Sequence, residues 1–408
     1  MNDFVQELNQ RLHALREQGL YRELRRLDSP QSPRIEFNGK TLLNFSSNDY
    51  LGLANDPWLK EAAIKAVERY GAGAGASRLI CGSLASHHEL EQILAAFKGT
   101  EAALTFSSGY AAATGAICAL LGKEDVIVTD KLVHACLVDA ARLCGAQLRI
   151  FAHNDLNNLE EVLKRADHES RRSRILIVTE SVFSMDGDFA PLRKIVGLKE
   201  KYGAWLMLDE AHANGIHGPK GRGLAGEFGV SDRIEIQMGT LGKALGSAGG
   251  FICGSRALID YLINRARSFI FSTAPVPAAA AAATAAIRFV QSDNGAQRRN
   301  VLWQRVSELP STLNPSAAAE SNATAPERSE GGQPATLRSA IIPLMIGDEA
   351  QAVETAAALR AQGIFIPAIR YPTVARGQAR LRLTLTAAHT SEDIATFLTA
   401  LRITQAHA

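Results

Sequence analysis

Cysteine is scarce and scattered. Cys81, Cys118, Cys136, Cys144 and Cys253 are the five in 408 residues, and no two stand at CxxC spacing. An odd, unpaired set argues against a disulfide framework and against a metal site, and fits small core residues in a reducing cytosol. There is no excess of charge of one sign either: 44 Lys and Arg against 42 Asp and Glu leave a net charge of +2. That balance gives neither nucleic acid nor an anionic membrane an electrostatic reason to bind. The first residues, Met1-Asn2-Asp3-Phe4-Val5-Gln6-Glu7, are polar and acidic, without the basic start and apolar run of a secretion signal. A long hydrophobic run is also missing. The stretch from Pro277 to Ile287 is nearly all alanine, too short and too weakly apolar to span a bilayer. The expectation is a soluble, cytoplasmic chain with no metal, nucleic-acid or membrane partner.

What is present is an ordinary globular composition, 46% hydrophobic and 21% charged, at a length that favours a two-domain enzyme. Leucines at helical spacing among arginines predict an amphipathic helix over 4–27. Asn38-Gly39 reads as a turn before a strand at 41–45. From there strands and helices alternate. The predicted strands are 102–106, 126–129, 148–151, 175–179, 205–208, 235–238 and 250–253, with helices at 87–97, 110–121, 133–143 and 192–202. This alternation predicts an α/β fold: a mostly parallel central sheet with helices on both faces. Ile175-Leu176-Ile177-Val178 is continuously apolar, as a buried central strand should be. A smaller C-terminal α/β domain is expected from a long alanine-rich helix near Val276, strands near 341–344, 364–366 and 380–385, and a helix over 350–362. Residues 315–338, rich in Ala, Ser, Glu, Gly and Pro, read as a flexible loop. The expected division is an N-terminal helix and arm (1–45), a large domain (46–275) and a small domain (276–408).

Three polar motifs follow three of the strands: Ser184-Met185-Asp186-Gly187, Asp209-Glu210-Ala211-His212 and Thr240-Leu241-Gly242-Lys243. In a parallel sheet the ligand crevice lies beyond the carboxyl ends of the strands, so the three should converge. Pyridoxal phosphate asks for this set. Its aldehyde needs a lysine amine for a Schiff base, here Lys243, and its pyridine nitrogen needs a carboxylate, here Asp209. Its phosphate needs hydroxyls and N–H groups at a helix start, as in Ser107-Ser108-Gly109-Tyr110. Taken singly, Thr-x-Gly-Lys also fits a turn with a solvated lysine, Asp209 a helix N-cap and His134 a surface histidine. Asp-Glu-Ala-His also marks nucleotide hydrolases, but these need GxxxxGK[ST]; the Gly39-Lys40-Thr41 triplet has Arg34 where the first glycine belongs, and Gly242-Lys243 is followed by Ala244. Gly71-Ala72-Gly73-Ala74-Gly75 has the wrong spacing for GxGxxG and follows a helical pattern, which leaves a loop beside the active site or a loop without a role.

From about Leu20 to about His389 the chain resembles the α-oxoamine synthases, pyridoxal-phosphate transferases of fold type I. The resemblance rests on Asn44-Phe45-Ser46-Ser47-Asn48-Asp49-Tyr50-Leu51-Gly52-Leu53, Val182-Phe183-Ser184-Met185-Asp186-Gly187-Asp188, the two motifs ending at His212 and Lys243, and Ala379-Arg380-Leu381-Arg382-Leu383-Thr384-Leu385-Thr386-Ala387-Ala388-His389. The wording is most similar to the branch that condenses L-alanine with pimeloyl-CoA or a pimeloyl-acyl carrier protein in biotin synthesis. Arg78-Leu79-Ile80-Cys81-Gly82 is also similar to a branch joining glycine to acetyl-CoA. A transaminase or lyase with the same cofactor and no thioester substrate stays as a second class. A cofactor-binding regulator would need a DNA-binding module, for which no segment is spare.

The resemblance implies roles residue by residue. Lys243, His134 and Asp209 are the catalytic set, with His134 stacked on the cofactor ring. Gly109, Tyr110, Ser184, His212 and Thr240 complete the cofactor site. Asn48 and Arg382 lie near the amino-acid carboxylate, and Arg22, Arg370 and Thr373 near the acyl substrate; Arg382 also fits a strand-edge ion pair and Arg22 a solvated helix face. A homodimer with its site at the interface is implied, with Ser272-Thr273 reaching the neighbouring subunit's phosphate.

Overall fold

The computed structural model describes residues 3–169, 173–313 and 338–406; residues 315–337 of the expected flexible loop lie outside them. The chain opens with a helix, Asp3–Glu17, none of whose residues is buried. It is shorter than the sequence pattern predicts. Gly19 turns left-handed at φ 65°, and Gly19 and Leu20 donate their N–H groups back to the carbonyls of Arg16 and Leu15. This crossed pair of bonds stops the helix although leucine and arginine continue beyond it.

Two short strands follow, β1 (Arg34–Phe37) and β2 (Lys40–Asn44), paired antiparallel across the Asn38-Gly39 turn. Both turn residues have positive φ, 50° and 71°, the conformation a tight hairpin turn demands. Next come the strands of the main sheet: β3 (Ala102–Phe106), β4 (Val126–Asp130), β5 (Gln147–Phe151), β6 (Ile175–Glu180), β7 (Trp205–Asp209), β8 (Ile236–Thr240) and β9 (Gly250–Gly254). Their order is β3-β9-β8-β7-β6-β4-β5. Strands β8, β7, β6, β4 and β5 are mutually parallel, and β9 runs antiparallel to both neighbours. Every residue of β3, β4, β6 and β9 is buried, so both faces are covered, as continuous apolar strands require. The mostly parallel sheet expected from the sequence is present.

The remaining strands, β10 (Ile341–Gly347), β11 (Ile364–Phe365), β12 (Ala368–Ile369) and β13 (Ala379–Thr384), form two small sheets. One has the order β10-β13-β12; the other is β1-β2-β11, which joins the N-terminal hairpin to the C-terminal part of the chain. One apolar cluster fills the main sheet, with Ile127, Ile177, Leu206 and Leu208 at its centre. A second gathers Phe45, Leu51, Leu53, Leu245, Ile287, Leu383 and Phe397 from both ends of the chain. The segment from Phe45 to Leu53 is thereby fixed between the main sheet and β13.

Polar groups are buried beside the second cluster. Lys98, at the end of the helix Ala85–Lys98, donates to Glu210 (2.5 Å), to Asn214 Oδ1 (2.9 Å) and to the Arg222 carbonyl (2.5 Å). The other oxygen of Glu210 accepts the Ala225 N–H at 3.0 Å. Both members of the ion pair are almost wholly enclosed. The pair anchors the turn that leaves β7, between Asp209 and His212. Lys98→Met keeps the aliphatic volume but strands the Glu210 charge, and removing one partner of a buried pair typically costs about 3–5 kcal/mol. A urea unfolding midpoint left unchanged in this variant would contradict that anchoring.

Candidate active site

The carboxyl ends of β4, β6, β7 and β8 point into one crevice. Lys243 follows β8, and its Nζ lies 2.8 Å from His212 Nε2. The other ring nitrogen of His212 lies 2.6 Å from the Tyr50 hydroxyl. Tyr50 contacts Asn48 Oδ1 at 3.4 Å, and Asn48 Oδ1 accepts Arg382 Nη1 at 3.0 Å. Arg382 also donates from Nε to the Ser184 carbonyl (2.5 Å) and from Nη1 to Thr384 Oγ1 (3.1 Å); its Nη2 makes a longer contact with Tyr50 (3.4 Å). Lys243, His212, Asn48, Ser184 and Arg382 thus belong to one connected network, drawn from five separate stretches of chain.

The charges in this network are strongly desolvated. Burial lowers the Lys243 amine pKa, with Asp209 and Glu180 opposing. Burial, and then the positive charges of Lys243 and Arg382, push His212 well below the usual imidazole value, so it is neutral. Burial also raises Asp209, against the attraction of Lys243. Asp209 ends β7, and its Oδ1 accepts the Ala211 N–H at 2.9 Å. That is few donors for an ionised carboxylate at 4% exposure, and the site is suited to a further cationic donor.

His134 caps the helix Ala135–Cys144, taking the Cys136 N–H on Nδ1 at 3.2 Å. The residue is exposed. Desolvation lowers its pKa, against the nearby negative charge of Asp209.

At the other end of the crevice, Ser108 caps the helix Gly109–Leu120 by accepting the Ala111 N–H at 3.1 Å. The first N–H groups of the helix, at Gly109 and Tyr110, are therefore left for an anion. A Cβ on Gly109 would lie 3.9 Å from that of Thr240, which places Thr240 beside this helix start. The Thr240 hydroxyl donates to the Gly249 carbonyl at 3.0 Å. Tyr110 is half exposed and reaches Asp139 Oδ2 at 3.2 Å. A Cβ on Gly250 would fall 2.5 Å from the Ser108 carbonyl oxygen, so a glycine is needed for β9 to pass this close to the cradle.

Arg22, Arg370 and Thr373 form a separate group. Arg22 Nη2 reaches Thr373 Oγ1 at 3.5 Å. Arg370 donates to the carbonyls of Gly19 and Tyr21, the latter at 3.0 Å. No described hydrogen bond joins this group directly to Lys243. Thr273 pairs with Ser77 in an isolated bridge, and Phe271 beside it is 71% exposed.

Two residues at the site received no role from the sequence. Tyr50 lies within a quoted motif but was not assigned as the partner of His212. Glu180 ends β6, directly opposite Asp209 on β7. It accepts the His134 N–H at 2.5 Å. Burial and the Asp209 charge raise its pKa, with Lys243 opposing. A carboxylate ending the strand next to Asp209 was a signal available once the strands were aligned.

These residues fit pyridoxal phosphate. Lys243 Nζ stands where an aldehyde can be held, the under-bonded Asp209 suits a protonated pyridine nitrogen, and the Gly109 helix start suits a phosphate. The chain matches the family described as Aminotransferase class I and II over residues 40–401. It is 45% identical over 390 residues to the 8-amino-7-oxononanoate synthase of Geotalea daltonii, covering 96% of this chain and 95% of that one. It is 46% identical over 383 residues to the protein of the same name from Geobacter sulfurreducens, covering 94% of each. Among solved structures, a serine palmitoyltransferase from S. paucimobilis with bound PLP and myriocin superimposes with a TM-score of 0.86 at 29% identity, covering 98% of this chain and 97% of that one. The 8-amino-7-oxononanoate synthase of Francisella tularensis gives 0.71 at 27% identity, covering 90% and 99%. With its cofactor site and its near full-length relatives in agreement, the chain belongs to the pyridoxal-phosphate-dependent 8-amino-7-oxononanoate synthases, within the class I and II aminotransferase family.

Proposed function

We propose that the protein condenses L-alanine with a pimeloyl thioester, carried on coenzyme A or on acyl carrier protein, to give 8-amino-7-oxononanoate, carbon dioxide and the free thiol. The observation that supports this reading is the Lys243–His212–Tyr50–Asn48–Arg382 network, which links a buried amine to a buried guanidinium, groups suited to act as base and as carboxylate receptor. Pyridoxal phosphate, when bound, supplies the electron sink that stabilises negative charge at the amino-acid α-carbon. Lys243, Asp209, His134, Ser184, His212, Thr240 and the N–H groups of Gly109 and Tyr110 would hold it.

Arg382 receives the alanine carboxylate. Among the described residues its Nη2 has only the long Tyr50 contact, and Asn48 can turn to share the load. Lys243 Nζ takes the α-proton. An amine whose pKa is lowered by burial is free base at a lower pH than ordinary lysine, and His212 Nε2 fixes its direction. His134 covers the opposite side and excludes water. Arg22, Arg370 and Thr373 orient the acyl chain.

The division into 1–45, 46–275 and 276–408 is part of the same proposal. The main sheet falls within the second part and the β10-β13-β12 sheet within the third. Among the described residues no helix is long and apolar enough to cross a membrane. The exposed Phe4, Leu8, Leu12, Leu15 and Phe271 favour a homodimer, with Ser272-Thr273 facing the neighbouring subunit's phosphate site. Sedimentation should return a dimer, and a monomer with full activity would remove this part of the reading.

Thiol release is the decisive assay, with L-alanine or glycine crossed against pimeloyl-CoA, pimeloyl-acyl carrier protein and acetyl-CoA. Release is expected with alanine and a pimeloyl thioester. Release with glycine and acetyl-CoA alone would move the reaction to the other branch. Lys243→Ala should lose both thiol release and the cofactor's characteristic visible absorbance; unaltered absorbance would overturn Lys243 as its anchor. In the active protein, the acid limb of the kcat profile, which reports the substrate complex where Lys243 is a free amine, should lie below the ordinary lysine value, the direction of the Lys243 shift. Arg382→Lys keeps the charge and loses the fork. The KM for L-alanine should rise about 10-fold to 100-fold, the scale of a lost charge-assisted hydrogen bond. An unchanged KM would relocate the carboxylate receptor.

A further inference from the structure

Outside the Lys243 network, His153 is held between two carboxylates. Its Nδ1 lies 2.9 Å from Asp130 Oδ1 and its Nε2 lies 2.7 Å from Asp188 Oδ2. A neutral imidazole has one N–H, so one of these contacts would otherwise set a lone pair against a carboxylate oxygen. With both nitrogens engaged, the ring is an imidazolium. Burial pulls its pKa down, but the hydrogen bonds and charges of Asp130 and Asp188 prevail and push it up to about 10. The ring also meets Phe183 edge-on, centroids 4.4 Å apart. Asn154 adds an amide contact to Asp188 Oδ2 at 3.1 Å and a backbone N–H to Asp130 Oδ2 at 2.9 Å.

The two carboxylates belong to the two walls of the crevice. Asp130 ends β4 and accepts the Leu132 N–H at 2.8 Å, which shapes the turn leading to His134. Asp188 closes the turn 182–189 that carries Ser184. Its carbonyl accepts the Phe183 N–H at 3.0 Å, and Val182 pairs with Phe189. From the other side β13 holds the same turn: Arg380 donates to Asp186 Oδ1 (2.6 Å) and Arg382 Nε to the Ser184 carbonyl (2.5 Å). The turn is therefore gripped by His153 at one end and by Arg380 and Arg382 at the other.

We propose that His153 is a positioning residue: as a charged clamp between Asp130 and Asp188, it fixes the turn 182–189 on which Arg382 rests, and so sets the geometry of the carboxylate receptor. The inference rests on the reading of Arg382 as that receptor. His153 touches neither Lys243 nor Arg382; it acts through Asp188 and the Ser184 carbonyl.

The test uses the full-length holoenzyme with His153→Gln, Asp188→Asn and the double variant, beside Arg382→Lys. A glutamine can satisfy one carboxylate but not bridge two. His153→Gln should raise the KM for L-alanine about tenfold, the loss of one charge-assisted hydrogen bond, while kcat changes far less. Asp188→Asn, at a more exposed position, should do the same without endangering folding. The double variant should be no worse than either single one, because all three break the same link. His153→Arg, which restores charge and two donors, should recover part of the loss. Without substrate, amide hydrogen exchange over 182–189 should quicken in His153→Gln while the helix 277–291 stays as in the parent. Unchanged KM and unchanged exchange in both single variants, with Arg382→Lys impaired, would overturn the clamp alone. An unimpaired Arg382→Lys would instead remove the reading beneath it.

Discussion

The structure depends on keeping several ionisable groups charged, or deliberately uncharged, out of water at the carboxyl ends of β6, β7 and β8. Glu180 and Asp209 end adjacent strands opposite one another, and Lys243 follows the next. Burial raises the pKa of both, the Asp209 charge adds to the rise at Glu180, and Lys243 opposes the shift at each. A cationic ring donating to Asp209 would relieve that desolvation, which is why the crevice suits one. The surroundings are built to hold this arrangement still. Lys98 and Glu210 lock the turn that leaves β7, and Glu180 spends one oxygen on the His134 N–H. Each anchor sits one step behind a residue assigned to the chemistry.

Arg382 is where the two halves of the molecule meet. It lies on β13, in a small sheet, yet its fork reaches Ser184 after β6 and Asn48 before the main sheet begins. The second apolar cluster is what permits this. Phe45, Leu51, Leu383 and Phe397 pack together, so the segment bearing Asn48 and Tyr50 cannot drift from β13. A guanidinium at 7% exposure needs acceptors for its donors, and the network supplies them from carbonyl and amide oxygens instead of from a carboxylate. In the proposed reaction the substrate carboxylate would then be its negatively charged partner.

Legibility in the sequence followed sequence distance. Strands such as Ile175–Glu180 were readable because a strand buried on both faces must be continuously apolar. The motifs ending at His212 and Lys243 were readable because each follows its own strand. The N-terminal helix was overextended because leucine spacing continues past Glu17, while its stop depends on one glycine at φ 65°. The pairing of β2 with β11 joins residues some 320 positions apart and leaves no local trace. Tyr50, Glu180 and His153 carry no local signal of their roles for the same reason. Their partners, His212, Asp209, Asp130 and Asp188, are near only after the sheet has set the register. Charge and spacing along the chain report what a residue is, and the fold decides what it faces.

The direction of the hydrogen bonds ties substrate recognition to the base. Where the Lys243 ammonium donates to Nε2 of the neutral His212 ring, the ring proton belongs on Nδ1 and points at Tyr50. The Tyr50 hydroxyl is then left to donate to Asn48 Oδ1, which also receives Arg382 Nη1. Donation runs from both ends toward the Asn48 carbonyl oxygen. A carboxylate arriving at Arg382 offers a stronger acceptor than that amide and relieves Asn48 of one donor. Tyr50 can then bond Asn48 more closely and hold His212, and with it Lys243, more firmly. In the proposed reaction the amino acid that needs its proton removed would thereby tighten the orientation of the amine that removes it.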